Sequence, residues 1–176
     1  MKIRRDFLAT RDIDWFCLVS GIPIQVASAG GTILPDFVND RQKMIESQII
    51  VSQLPYLFSE ADIFVNEDLI KRKLREDNDF IYEELNISIE DRFRYYIHSF
   101  VPYARKGFFC FDRSKPEEPE STLYDLIAFP RTNEFRRNNI HLPSTRNEFF
   151  MGISSLEWII ENIIRFESVD FRIIMD

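Results

Sequence analysis

The chain has 176 residues, 45% of them apolar with 17 Phe among them, and a net charge of −7. This composition suits one packed domain that needs no disulfide or metal staple, and only 5 Gly and 8 Pro argue against linkers and low-complexity segments. The acidic balance disfavours a dedicated nucleic-acid binder, and no run approaches about 18 uncharged apolar residues, the length needed to span a membrane.

The first residues, Lys2, Ile3, Arg4 and Arg5, are basic, but Asp6 follows and no apolar core appears, so they do not read as a secretory signal. Residues 4–10 predict a first strand. Residues 12–29 form the clearest local pattern, two apolar runs around Ser20-Gly21, and predict a β-hairpin because Gly tolerates the positive φ of a tight turn. A two-residue loop sets Val19 opposite Ile22, Cys17 opposite Ile24 and Trp15 opposite Val26. That face is wholly apolar and is expected in the core. The other face pairs Leu18 with Pro23, Phe16 with Gln25 and Asp14 with Ala27. Pro23 has no N–H to donate, which predicts an edge strand or a bulge there.

Ala29, Gly30 and Gly31 open a glycine-rich loop that lacks the Lys and the glycine spacing of a phosphate loop. A helix is expected from Pro35 and Asp36, with a stripe of Phe37, Val38, Met44, Ile45, Ile49 and Leu54 ending before Pro55. The β-branched run Ile49-Ile50-Val51 keeps a strand open as the alternative. Asn66 predicts the cap of a helix with Leu69, Ile70 and Leu74 inward. Lys71, Arg72, Lys73 and Arg75 then read as a solvated face paired with neighbouring acids. Phe80, Ile81, Tyr82 and Leu85 suggest one further helical turn.

Charge is segregated along this part of the chain. Residues 62–91 hold ten acids against four bases, and residues 92–111 hold four bases and no acid. A helix over 89–101 is predicted by Ser88 and Asp91 as a capping box and by the stripe Ile89, Phe93, Tyr96, Ile97 and Phe100, with Pro102 ending it. Residues 107–113 and 122–129 predict a second hairpin with an acidic tip. Residues 131–147 form an Arg- and Asn-rich loop. Ser154 and Glu157 open a helix with Leu156, Ile159, Ile160 and Ile163 on one side, and residues 169–175 read as a final strand. The expected fold is α+β: one domain over 1–176, with a largely antiparallel sheet of two β-hairpins and terminal strands and three or four helices on it.

Chemical signals are sparse. Asp12 and Asp14 alternate onto one side of a strand, where paired carboxylates can hold a divalent cation or share a proton. Alternatively they lie in water at the strand's start, paired with Arg11 or Arg4. His98 and His141 are the only imidazoles, and they make no metal spacing with the two Cys. Cys17 and Cys110 fall in apolar runs and read as buried thiols of a cytoplasmic protein. No serine or cysteine nucleophile signature is present. Residues 106–111 resemble an RNA-recognition strand but depart from its pattern at Phe109 and Cys110. With Arg92, Arg94, Tyr103, Arg105, Lys106, Arg136 and Arg137 they leave a basic-aromatic patch as a candidate phosphate or nucleic-acid surface.

These features lead to a non-catalytic cytoplasmic protein acting through a protein partner, by its acidic segment or its Arg/Asn-rich loop, with no cofactor and no metal. The alternatives are a small metal-dependent hydrolase or nuclease using Asp12 and Asp14, and a nucleic-acid or phosphate binder using the basic-aromatic patch.

Overall fold

A computed structural model describes residues 2–19, 22–32, 34, 39–77, 84–118, 120–121, 123–131 and 169–170. The hairpin turn Ser20-Gly21, Phe80, Ile81 and Tyr82 of the expected further turn, the Arg/Asn-rich loop after Arg131, the helix after Ser154 and most of the final strand lie outside the described residues.

The hairpin forms with the expected register. Strand β1 (Asp14–Val19) runs antiparallel to β2 (Ile22–Ala27), pairing Trp15 with Val26, Cys17 with Ile24 and Asp14 with Ala27. Trp15, Cys17, Ile24 and Val26 are buried in one cluster. Strand β4 (Phe109–Arg113) and strand β5 (Leu123–Pro130) make the second antiparallel pair. Cys110 pairs with Ala128 but Phe111 pairs with Leu126, so Ile127 is an extra residue that bulges β5. Strand β3 (Ile63–Val65) pairs antiparallel with the Pro130 end of β5, and β6 (Val169–Asp170) with its Leu123 end.

The two hairpins meet through a parallel contact, in which Ile24 of β2 lies opposite Phe109 and Ala27 opposite Asp112. The sheet, ordered β1-β2-β4-β5-β3, is therefore mixed and not largely antiparallel. Strand β2 is interior, so Pro23 marks no edge. It is accommodated because pairing with β4 begins one residue later, at Ile24.

Five α-helices occur among the described residues, more than expected. The first, α1 (Arg5–Ala9), replaces the expected strand at 4–10. Helix α2 (Arg41–Gln53) begins where Asp40 accepts hydrogen bonds from the Gln42 and Lys43 amides and caps it; the expected start at Pro35 and Asp36, with Phe37 and Val38, lies outside the described residues. It runs through Ile49-Ile50-Val51 without turning into a strand. Helix α3 (Glu67–Glu76) buries Ile70 and Leu74. Asn66 stands at its N-cap position as expected, but its side chain makes no capping bond; it donates to the Leu126 carbonyl and ties the helix start to β5.

The helix predicted over 89–101 is two helices, α4 (Ile89–Ile97) and α5 (Val101–Arg105). The Ser88 hydroxyl accepts from the Asp91 amide as a cap should. Pro102 starts the second helix and does not end the first, since its missing N–H costs nothing in a first turn.

Both faces of the sheet are covered. Phe109 and Phe111 join the Trp15 cluster, which Ile3 and Leu8 close from the N-terminal side. Phe16, Phe108, Cys110 and Ile127 face the other way, against Val51 of α2, Ile70 and Leu74 of α3, and Phe100 and Ala104. Cys17 and Cys110 are free thiols, both buried, and burial pushes each thiol well above its ordinary pKa. No helix among the described residues is long and apolar enough to cross a membrane.

Of the predicted stripe on 89–101, Phe100 is buried, while Phe93, Tyr96 and Ile97 are only partly buried against the same cluster. Phe108 is fully buried and meets Phe16 edge-on at 5.6 Å. Phe108→Ala is expected to cost about 3–5 kcal/mol in urea unfolding, the usual penalty for emptying an aromatic core site, and Phe93→Ala distinctly less. Equal losses would show that α4 is packed as deeply as the sheet.

Candidate functional site

The carboxyl ends of the parallel strands β2 and β4 lie side by side, and the acids of the chain gather there. Asp14 opens β1, opposite Ala27 at the end of β2. Asp112 sits near the end of β4, and it faces Ala27 on one side and Asp125 on the other. Directly opposed carboxylates repel. Lys73 of α3 answers both, with Nζ 3.2 Å from Asp125 Oδ2 and 3.7 Å from Asp112 Oδ2. It also donates to the Arg113 carbonyl at 2.6 Å. The Tyr96 hydroxyl of α4 donates to Asp112. Lys73 is thus not part of a solvated basic face but the partly buried counter-ion of the sheet's own acids. Lys71 keeps the expected role, pairing with Glu67 and Glu90.

Asp14 is held differently. Gln25 Nε2 donates to its Oδ1 at 2.6 Å and the Tyr103 hydroxyl to its Oδ2 at 3.0 Å. Burial pushes its carboxyl up to about 6, the charge of Asp12 adds to the rise, and the two hydrogen bonds oppose it. Burial likewise raises Asp112, against the pull of Lys73 and Tyr96. The Tyr96 and Tyr103 phenols are raised by burial and by the carboxylates they touch.

Asp12 lies outside the strand and is exposed. Its Oδ1 accepts from the Ala29 amide at 2.7 Å and so pins the turn after β2. Ala29 has φ 43° and Gly30 φ 73°. A Cβ at Gly31 would come within 2.9 Å of the Arg113 guanidinium carbon, so glycine permits a close approach there. The glycines, which lack the spacing of a phosphate loop, make a tight turn against a buried arginine.

Asp12 and Asp112 share a cleft of about 240 Å³ with Tyr95, Tyr96, Arg92 and Phe100. Asp14, although close in sequence to Asp12, has both oxygens bonded to Gln25 and Tyr103. The structure thus joins Asp12 to Asp112, a carboxylate that spacing along the chain did not single out. Its signal was an Asp inside an apolar strand, in Phe109-Cys110-Phe111-Asp112, and Asp125 repeats it in β5. Acids at such positions are rarely buried without a partner. Among the described residues, no three His, Cys, Asp or Glu converge as a metal-binding group.

The basic-aromatic candidates scatter. Arg92 pairs with Asp77 at 3.1 Å, and Arg94 is exposed beside Asp91. Tyr103 bonds Asp14. Arg105 stacks over the Tyr56 ring at 4.2 Å. Lys106 is buried, donating to the Val51 and Ser52 carbonyls at the end of α2, and burial lowers its pKa. Phe108 to Phe111 are buried on both sides, so no stacking platform forms on that strand. His98 is exposed at the end of α4. His141, Arg136 and Arg137 lie outside the described residues. Compared with protein-family models, with curated proteins and with solved structures, the chain matches none.

The Asp14 environment carries a pH dependence. Its folded-state pKa of about 6 stands above the ordinary 3.8, so between those values the folded protein holds a proton that the unfolded chain has released. Stability then falls as pH rises through this window and stays reduced above it. Asp112 titrates in the same sense. Asp14→Asn, which stays neutral, is expected to show a smaller drop in Tm between pH 4 and pH 7 than the parent protein. Equal drops would show that Asp14 is as well solvated in the fold as in the unfolded chain.

Proposed function

We propose that the protein works in the cytoplasm by binding a protein partner, without catalysing a reaction. The supporting observation is helix α2, which buries Val51 inward yet leaves two isoleucines on its outward side. Ile45 and Ile49, one turn apart, are 39% and 52% exposed, while Ser47 is buried and its hydroxyl donates to the Met44 carbonyl. Tyr56 and Leu57 extend the apolar surface beyond the helix end at 55% and 43% exposed. A surface helix normally turns its apolar stripe to the core, and grouped exposed apolar residues mark interaction sites. The acidic segment supports the reading less well, because several of its charges are engaged within the chain: Glu67 and Glu90 on Lys71, Asp77 on Arg92. The free, buried thiols fit a reducing compartment.

Ile49→Glu is expected to leave the unfolding midpoint nearly unchanged, since the side chain is half exposed, and to remove a subset of the proteins captured from the native host by the parent protein. Identical captured sets would overturn the α2 reading.

A second reading, metal-dependent hydrolysis, draws support from Asp12 and Asp112 sharing one cleft. Against it, Asp14 is committed to Gln25 and Tyr103, and Asp112 to Tyr96 and Lys73. A hard divalent ion needs several free oxygens. Mn²⁺ is therefore expected to leave Tm unchanged. A saturable rise that disappears in Asp12→Asn would put the metal reading first, because a ligand bound only by the native state must stabilise it.

A further inference from the structure

The cleft at the carboxyl ends of β2 and β4 has a composition that its structural role does not account for. Open sheets with parallel strands place ligand crevices at such strand ends. Here the cavity, about 240 Å³, is bounded by Leu74 and Phe100 as apolar walls and by Tyr95 and Tyr96 as aromatic ones. Tyr95 is 77% exposed, which is unusual for so large a ring and makes it the open lip of the cleft.

The charges within reach are unequal. Lys73 is committed to Asp112, Asp125 and the Arg113 carbonyl. Arg92 is committed to Asp77 across the cleft's edge. Asp12, exposed, has no cation within ion-pair distance among the described residues, and it accepts the Ala29 amide through Oδ1. Its negative charge is felt by its neighbours, since it raises Asp14, Asp112, Tyr96 and Tyr124 alike. A carboxylate at the mouth of an aromatic-walled cavity, with a second carboxylate at its base, attracts a compact cation carried on an apolar stem. The carboxylates supply charge, the ring faces supply cation–π attraction, and Leu74 and Phe100 receive the stem.

We propose that this cleft is a binding site for an alkylammonium group, with Asp12 as the charge partner, Tyr95 and Tyr96 as the aromatic wall, and Leu74 and Phe100 as the bed for the alkyl chain. The same chemistry is offered by a free diamine and by a lysine side chain of a peptide. The site is separate from the α2 surface, so its failure leaves the α2 reading untouched.

The test is calorimetric titration at neutral pH and low salt with three probes: 1,5-diaminopentane, Nα-acetyl-lysine methylamide, and Nα-acetyl-norleucine methylamide, which keeps the stem and lacks the ammonium. Saturable binding of at least one amine, with none of the norleucine compound, is expected. Tighter binding of the diamine assigns a free ligand, and tighter binding of the lysine compound assigns a peptide side chain. Asp12→Asn keeps the acceptor for the Ala29 amide and is expected to weaken the amine at least tenfold; Tyr95→Ala, at an exposed position, several-fold. Asp68→Asn, an exposed acid on α3, is expected to change nothing. Raised salt should weaken binding through screening. Equal binding of the neutral compound, full affinity in Asp12→Asn and Tyr95→Ala, or no saturable binding of either amine would overturn the proposal.

Discussion

Lys73 between Asp112 and Asp125 is the contact on which the arrangement of helices over the sheet turns. Two carboxylates directly opposed across β4 and β5, each nearly buried, cannot both remain ionised without a cation. Lys73 supplies it from α3, and the same ammonium takes the Arg113 carbonyl, so one side chain sets the distance between helix and sheet. The Tyr96 hydroxyl then brings α4 to the same carboxylate. Removing one member of such a buried set typically costs about 3–5 kcal/mol, because the remaining charge is left uncompensated. Apolar packing of Ile70, Leu74 and Phe100 supplies the attraction between the layers; the ionic group ties α3 and α4 to the acids of the sheet.

The sequence carried the local parts of this fold. The hairpin over 12–29 was legible down to its register, because a two-residue turn and alternating apolar side chains leave few other pairings. The second hairpin was legible from two apolar runs flanking a Pro- and Glu-rich loop, and the Ser88 cap from its spacing to Asp91. The parallel contact of β2 with β4 was not. Periodicity reports which faces of a strand are buried and is silent about its neighbours. One sign of an interior position did exist: residues 22–27 run almost without polar interruption, as strands covered on both faces do. Pro23 pointed the other way, and the start of pairing at Ile24 resolves the conflict.

The helical misreadings have a common cause. A strand over 4–10 follows from spacing alone, and a helix start at Pro35, outside the described residues, from proline's fit to a first turn; neither signal contains the hydrogen bonds that fix an element's ends. Helix α1 is short and is held by burial of Leu8, and α2 starts where Asp40 can accept two amides. Likewise the stripe of 89–101 was correct in spacing, yet the chain turns after Ile97 and begins again at Val101, where proline is tolerated. Caps and prolines decide boundaries; periodicity decides only the buried side.

The acids show why a site is harder to read than a fold. Asp12 and Asp14 are neighbours in sequence and point to one side of the strand in projection, yet they end in different environments. Asp14 is drawn under α5 by Tyr103, and Asp12 stays outside on the Ala29 turn. The carboxylate that does share a cleft with Asp12 comes from β4, and it arrives there only through the parallel pairing of β2 with β4. The site therefore inherits the illegibility of that long-range contact. What the chain did disclose was a cost: an aspartate that follows Phe109-Cys110-Phe111 in one strand must either find partners or unfold the strand around it. Lys73 and Tyr96 are those partners, and the cleft is the space left beside them, open on the side where Asp12 and the exposed Tyr95 stand.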